Sequence, residues 1–328
     1  MHVLIVGGAG YIGSHVAKAF LQRGHNVTVY DNLSSGLREN LLPGAAFQHG
    51  EIGDELKLRD LMAGNGVEAV VHLAAFKAAG ESMLVPEKYS RNNIAGTVGL
   101  LNAASEAGVR RMVFSSSAAV YGEPEYLPVD EAHPTNPENY YGFTKLEIER
   151  LLHWYSKLRN IRYAALRYFN AAGYDPEGVI TGLEQNPANL LPVIMEVATG
   201  KREKLHIFGD DYATQDGTGV RDYIHVTDLA EAHVLSLETI VETDKDLTVN
   251  LGSEAGISVQ EMVDVARRIS GKEIPVTVVE RRPGDPARLV ASAGLARKLL
   301  GWKANYSDVE TLVATSWNAY KENDPQID

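Results

Sequence analysis

Cysteine is absent from the 328-residue chain, which excludes disulfides, a thiol nucleophile and any zinc site built on thiolates. The ten histidines show no paired spacing of the H-E-x-x-H kind, so no metal is expected. No apolar run approaches the roughly 18 residues that a membrane span needs. The N-terminus reads as a strand rather than a secretory signal, and the expectation is a cytoplasmic protein with no membrane partner. Basic residues are outnumbered, 31 Lys and Arg against 43 Asp and Glu, and the net charge of −12 argues against a general nucleic-acid binder. Internal repeats and low-complexity tracts are missing too. The remainder, 45% hydrophobic and 23% charged residues, suits an ordinary globular chain with a large core.

What is present begins with an apolar run, His2 to Val6. Gly7-Gly8-Ala9-Gly10-Tyr11-Ile12-Gly13 follows, then an amphipathic run from Ser14 to Gln22 that stops at Arg23-Gly24. The order is buried strand, glycine turn, helix, helix stop. Gly7, Gly10 and Gly13 permit a tight turn, close approach of backbone to a pyrophosphate, and packing of helix on strand, with the helix N-terminus facing the anion. The next apolar strand, Asn26 to Tyr30, ends in Asp31. That acid lies about 20 residues after the turn, where a carboxylate accepts from a ribose diol and repels a 2′-phosphate. The pattern reads as an NAD site rather than an NADP site; a glycine turn with a capping aspartate is the plainer alternative.

Strand-like and helical runs alternate as far as Phe169, the mark of strand-helix-strand units feeding a parallel sheet. Residues 67–75, 110–116 and 161–168 read as strands, and 86–107 and 140–157 as helices. The expected fold class is α/β: a Rossmann-type doubly wound parallel sheet over 1–170, with a smaller, interleaved C-terminal α/β substrate lobe over 171–328. The segment near 220–252 is expected to return to the first domain. Gly, Pro, Asp and Asn crowd 173–189 and 209–219, as in loops that close over a ligand. Further helices are predicted at 226–240, 259–270 and 308–320.

Tyr141 and Lys145 stand four residues apart, on one face of their helix. A fixed cation beside a phenol favours the phenolate and lowers a pKa that is ordinarily about 10, so Tyr141 could accept a proton. A surface tyrosine above a solvated lysine has the same spacing, but none of the other tyrosines among the 15 carries Lys at that offset. Open parallel sheets bind ligands beyond the carboxyl ends of their strands. One such end is Ser115-Ser116-Ser117, which could set a hydroxyl beside the phenol or cap a turn. Leu73-Ala74-Ala75 leaves room for a cofactor ahead of Lys77, and Asn170, after Tyr168-Phe169, could hold a ligand or start a turn.

Together these segments resemble the UDP-glucose 4-epimerases of the extended short-chain dehydrogenase/reductase superfamily, over nearly the whole chain. The glycine turn and the Tyr/Lys pair mark the superfamily. Gly217-Thr218-Gly219-Val220-Arg221-Asp222-Tyr223-Ile224-His225-Val226 and Lys77-Ala78-Ala79-Gly80-Glu81-Ser82 look specific to the epimerases. The resemblance implies interconversion of UDP-glucose and UDP-galactose on a tightly bound NAD. Tyr141 would take the proton of the 4-hydroxyl as hydride leaves C4, the 4-keto sugar would turn over, and hydride would return to the opposite face. By position it implies Tyr141, Lys145 and Ser117 as catalytic residues, Lys145 on the nicotinamide ribose and Ser117 on the 4-oxygen. Implied cofactor contacts are Gly7, Gly10, Tyr11, Ile12 and Gly13 at the pyrophosphate turn, Asp31, Asn32, Ser34 and Ser35 on the adenosine side, and Glu51 and Ile52 at the adenine. Leu73, Ala74, Ala75, Lys77, Asn92, Ser115, Tyr141, Lys145 and Phe169 complete that set. For the UDP-sugar the implied contacts are Lys77, Ser117, Tyr141, Asn170, Asn189, Leu190, His206, Phe208, Arg221, Arg282 and Asp285, two arginines suiting a diphosphate. A homodimer pairing through helices near 86–107 and 138–157 is implied as well.

Two positions depart from the family pattern. Glu51-Ile52 stands where relatives often carry Asp-Ile. Leu289 stands where some carry a tyrosine that walls the sugar pocket, and a smaller wall would admit UDP-N-acetylhexosamines. A UDP-N-acetylglucosamine or UDP-uronate 4-epimerase is therefore the alternative. A 4,6-dehydratase would need an acid pair where Ala118-Ala119 stand, and a non-catalytic NAD-sensing regulator commonly lacks the Tyr or the Lys.

Overall fold

The computed structural model describes residues 1–185, 187–282 and 285–323. Short apolar runs buried on both faces become strands of a parallel sheet: β1 (His2–Val6), β2 (Asn26–Asp31), β4 (Ala69–His72), β5 (Arg111–Ser115) and β6 (Arg162–Tyr168), with the more exposed β3 (Ala45–His49) added at its edge. Shorter strands follow, β7 (Asn170–Ala172), β8 (Leu205–Phe208), β9 (Val220–Arg221) and β10 (Tyr223–His225). Then come β11 (Leu247–Leu251), β12 (Ile257–Ser258), β13 (Val276–Val279) and β14 (Arg288–Leu289). The main sheet has seven strands in the order β11-β6-β5-β4-β1-β2-β3. Because β1 pairs with β2 on one side and β4 on the other, successive connections leave in opposite directions and a crevice opens at the strands' carboxyl ends.

The helices are α1 (Tyr11–Gln22), α2 (Glu55–Gly64), α3 (Ala79–Ser82), α4 (Pro86–Tyr89), α5 (Gly96–Glu106), α6 (Tyr140–Arg159), α7 (Leu190–Ala198), α8 (Val226–Thr243), α9 (Val259–Ser270), α10 (Gly294–Leu300) and α11 (Val309–Glu322). One sheet face packs Val3, Ile5, Val29 and Leu166 against Phe20 of α1, Leu229 of α8 and Trp302. The other packs Leu4, Val6 and Phe114 against Leu58 of α2, Leu101 of α5 and Ile148 of α6. A separate core of Leu191, Met195, Met262, Val263, Leu312 and Trp317 joins α7, α9 and α11 beside the parallel pair β8-β13. The doubly wound α/β class expected from the sequence is the fold observed. No helix among the described residues is long and apolar enough to cross a membrane.

Local signals set several boundaries. The Asn139 side chain accepts from Gly142 N at 2.9 Å and starts α6, and Asn160, at φ 56°, ends it. Ser258 and Gly271 bracket α9 in the same way. Two expectations need correction. Residues 86–107 do not form one uniform α-helix, because a wider turn over Ser90–Ala95 separates α4 from α5 and swings Asn93 fully inside. The strand predicted at 67–75 stops at His72. Leu73 N and Ala74 N both donate to Val6 O, at 2.8 and 3.0 Å, and the chain then leaves the sheet. The elements β3, α2, α7 and α10 were not anticipated.

Candidate active site

The glycine turn lies at the crevice between β1 and β4. Gly7 has φ +88° and a Cβ there would come within 2.6 Å of Ala74 N; one at Gly13 would meet Gly7 O at 2.1 Å. Both glycines therefore serve close backbone packing. Gly10 precedes α1 without supplying a side-chain cap, which leaves first-turn N–H groups to face an anion. Asp31, buried, accepts from Ala9 N at 3.0 Å and Leu33 N at 2.8 Å, one bond to each carboxylate oxygen, and each oxygen retains a lone pair. Asn32 donates to Glu51 Oε2 at 2.9 Å and accepts from Ser34 N at 2.9 Å, while Ser34 and Ser35 are exposed beside it. Ile52 is buried beneath Gly96. Leu73, Ala74 and Ala75 are half-buried along the exit from β4. An uncapped helix start, an adjacent carboxylate and small side chains fit a dinucleotide. Of the side chains named for this region, Tyr11 turns away: its hydroxyl donates to Gly173 O and its ring packs on Tyr174 with 5.1 Å between centroids. Its backbone alone remains at the turn. Lys77 reaches across to an ion pair with Glu184.

The three serines at the end of β5 diverge. Ser115 Oγ bonds His233 Nε2 at 2.9 Å, Ser116 Oγ donates to Glu149 Oε1 at 2.5 Å, and Ser117 accepts from Ala119 N at 3.2 Å and lies close enough to the Tyr141 phenol to pull its pKa down. Lys145, buried, donates to Ser115 O at 2.7 Å, with Nζ 4.8 Å from the Phe114 ring centroid and 5.8 Å from that of Tyr141. Lys145 is not among the groups that shift the Tyr141 phenol in the protein without its cofactor. Burial raises the phenol above its ordinary value, and Ser117 only partly offsets this. Burial also lowers Lys145 to about 7, against the opposing pull of Glu149. For each group, removal from water is the largest influence and works against its charged form.

Beyond β6 a second cluster forms. Asn170 follows half-buried Phe169, and its amide donates to Asp222 O at 2.9 Å. With Asn189, Leu190, His206, Phe208, Arg221, Arg282 and Asp285 it lines a cavity of about 590 Å³. Arg221 is ion-paired with Asp285, and the Arg282 guanidinium lies 3.7 Å from the Phe208 ring centroid. Ser117, Tyr141 and Lys77 are not among the lining residues. Asn92, half-buried, donates to Asn93 Oδ1 at 3.0 Å and is not among the residues lining this cavity.

Sequence reasoning missed several residues. Asn93 bonds both backbone groups of Phe76 at 3.0 Å and donates to Thr144 at 3.2 Å, tying the Lys77 loop to α6. Ser82 Oγ accepts Tyr141 N at 3.0 Å. Arg202, Lys204 and Tyr212 line the cavity. The clustering of Gly and Asp at 209–219 was the only signal for the last.

Residues 3–252 match the NAD dependent epimerase/dehydratase family. The UDP-glucose 4-epimerase of Lacticaseibacillus casei is 45% identical over 327 residues, 99% of this chain and 98% of that one. The crystal structure of UDP-glucose 4-epimerase from Brucella ovis in complex with NAD superposes with a TM-score of 0.95 at 44% identity, covering 97% of this chain and 98% of that one. The UDP-Glc/GlcNAc 4-epimerase from Campylobacter jejuni superposes with a TM-score of 0.87 at 36% identity, over 98% and 99%. The chain therefore belongs to the NAD dependent epimerase/dehydratase family, in its UDP-glucose 4-epimerase branch.

Proposed function

We propose that the chain interconverts UDP-glucose and UDP-galactose, with Tyr141 as the acid and base at the sugar 4-oxygen. The observation that carries this reading is the half-buried Tyr141 one helical turn from Lys145, which is buried and anchored on Ser115 O at the end of β5, with Ser117 close to the phenol. NAD, when bound on the glycine turn, supplies the hydride acceptor and donor for C4 and a positive charge near the phenol. The chain's own groups do the rest. Gly10 and the uncapped start of α1 hold the diphosphate of the cofactor, and Asp31 its adenosine ribose. Ser117 orients the 4-oxygen, and Tyr141 withdraws its proton in one direction and returns it in the other. Lys145, anchored on Ser115 O, would hold the nicotinamide ribose. Arg221, Arg282 and the residues around them retain the UDP portion, which keeps a reactive 4-keto sugar from leaving. The remaining residues implied by the resemblance are proposed in the roles it gives them, with Tyr11 through its backbone only.

Purified protein mixed with UDP-galactose, with UDP-glucose formation coupled to its dehydrogenase, tests the reading directly. Tyr141→Phe should lower the rate by about 10²–10⁴ and leave UDP binding in place; full rate in that variant refutes the mechanism. A second reading, turnover of UDP-N-acetylglucosamine, is favoured by Leu289. Its side chain packs with Phe169 against the small cluster of Ala118, Val120 and Leu146, next to Ser117, where it forms a smaller wall than a tyrosine would. We also propose cytoplasmic location, read by fractionation, and a homodimer formed through the helices at 86–107 and 138–157. Exposed Met83, Leu84, Phe143, Trp154 and Leu158 on and beside these helices support the pairing, and a single-chain sedimentation mass refutes it.

A further inference from the structure

One polar atom of the cavity wall, the Tyr212 hydroxyl, has no hydrogen-bond partner among the described residues. Tyr212, in the loop between β8 and β9, lines the cavity and is 6% exposed. Its loop folds tightly around it: Tyr212 N donates to Gly217 O at 2.8 Å and Thr214 N donates to Tyr212 O at 2.8 Å. The Arg281 guanidinium covers the ring 4.0 Å from its centroid and bridges to Asp211 at 2.6 Å. Gly209, at φ +86°, gives the ring its room, since a Cβ there would approach a ring carbon to 3.0 Å. The side chain is thus fixed from several directions, yet its buried hydroxyl meets no donor or acceptor among the described residues. An unpaired buried hydroxyl is destabilising and is retained where something else satisfies it.

Burial pushes the Tyr212 pKa up, so at neutral pH it is an O–H donor, and Asp285, Arg221, Arg281 and Asp211, two acids and two bases, all lie close enough to influence it. Asp285 is already paired with Arg221 and neutralises much of that cation. An anion seated there needs further donors. We propose that Tyr212 is a further substrate-binding residue, its hydroxyl donating to a diphosphate oxygen of the nucleotide sugar between Arg221 and Arg282. This rests on the UDP-sugar reading above.

Tyr212→Phe removes only an oxygen that the protein itself does not bond. Titration with UDP should show affinity falling about 5–10-fold, and KM for UDP-galactose should rise with kcat unchanged. Uridine, measured as a competitive inhibitor, should bind as before. The ligand-free melting midpoint should hold or rise, opposite to the effect of losing a structural hydrogen bond. UDP affinity within twofold of the unsubstituted protein overturns the proposal, as does an equal loss for uridine. Failure of the unsubstituted chain to bind UDP at all would instead bring down the epimerase reading on which the proposal rests.

Discussion

Glu149 is the group beneath the site whose removal should cost most. It lies one helical turn from Lys145 and is 8% exposed. Its two oxygens accept from Arg167 Nε at 2.9 Å and Nη2 at 2.6 Å, and one also accepts from Ser116 at 2.5 Å. Arg167 in turn donates to Tyr121 Oη at 3.0 Å, and Tyr121 to Asn250 Oδ1 at 2.6 Å, so the pair anchors a network from α6 to β11. Glu149→Gln keeps the shape and removes the charge. Breaking a buried ion pair from one side costs about 3–5 kcal/mol, because the remaining charge is left uncompensated. The glutamine oxygen can still accept one bond, which places the expected loss near 3 kcal/mol. Against a total stability of about 5–15 kcal/mol, that lowers the melting midpoint of a 328-residue chain by about 4–5 °C. Scanning calorimetry on Glu149→Gln, Arg167→Met and the double variant reads the coupling. The double variant should be more stable than Glu149→Gln alone, since no buried cation is left unpaired. A midpoint shift under about 2 °C, or effects of the two substitutions that simply add, refutes the argument.

Two further outcomes follow from the same electrostatics and packing. His15 and His233 are buried and their pKa values are lowered to about 4 by desolvation; the unfolded chain binds protons there near pH 6.5. Stability is then fully present above about pH 6.5 and is lost as pH falls toward 4, by up to about 2 kcal/mol per histidine at pH 5. Asp222 and Asp228, raised by burial, oppose this only as they begin to protonate. A urea midpoint at pH 5 equal to or above that at pH 7.5 refutes the assignment. For the wall at Leu289, UDP-N-acetylglucosamine should turn over measurably, and Leu289→Tyr should suppress that activity while sparing UDP-glucose; no detectable turnover beside fast UDP-glucose epimerisation sinks it.

The first half of the fold was legible because its signals are local. The run from His2 to Gln22 carries strand, turn and helix within one continuous stretch, and α9 was bounded correctly by Ser258 and Gly271. The elements that were missed lack such periodicity. In β3 only Ala45, Phe47 and Gln48 are even half-buried, as befits an edge strand. In α2 only Leu58 and Met62 are buried. Pro192 disguises α7, though proline is tolerated in a first turn where the N–H has no intrahelical partner.

At the site, sequence spacing determined which groups meet and not what their meeting does. Tyr141 and Lys145 share a helix face, as four-residue spacing requires. The sign of the effect depends on burial, which spacing does not encode: Phe114 and Ser115 enclose the Lys145 ammonium, and burial raises the phenol. Residues such as Asn93 and Ser82 were missed for a related reason: each acts through a partner 17 to 59 positions away, and no local pattern encodes that. The consequence for mechanism is physical. In the protein alone Tyr141 is held protonated and Lys145 close to neutrality at physiological pH, so the chain favours the donor form of the phenol. In the mechanism proposed above, proton withdrawal from the sugar would then call for a positive charge in the crevice, which would couple base strength to occupancy of the dinucleotide site.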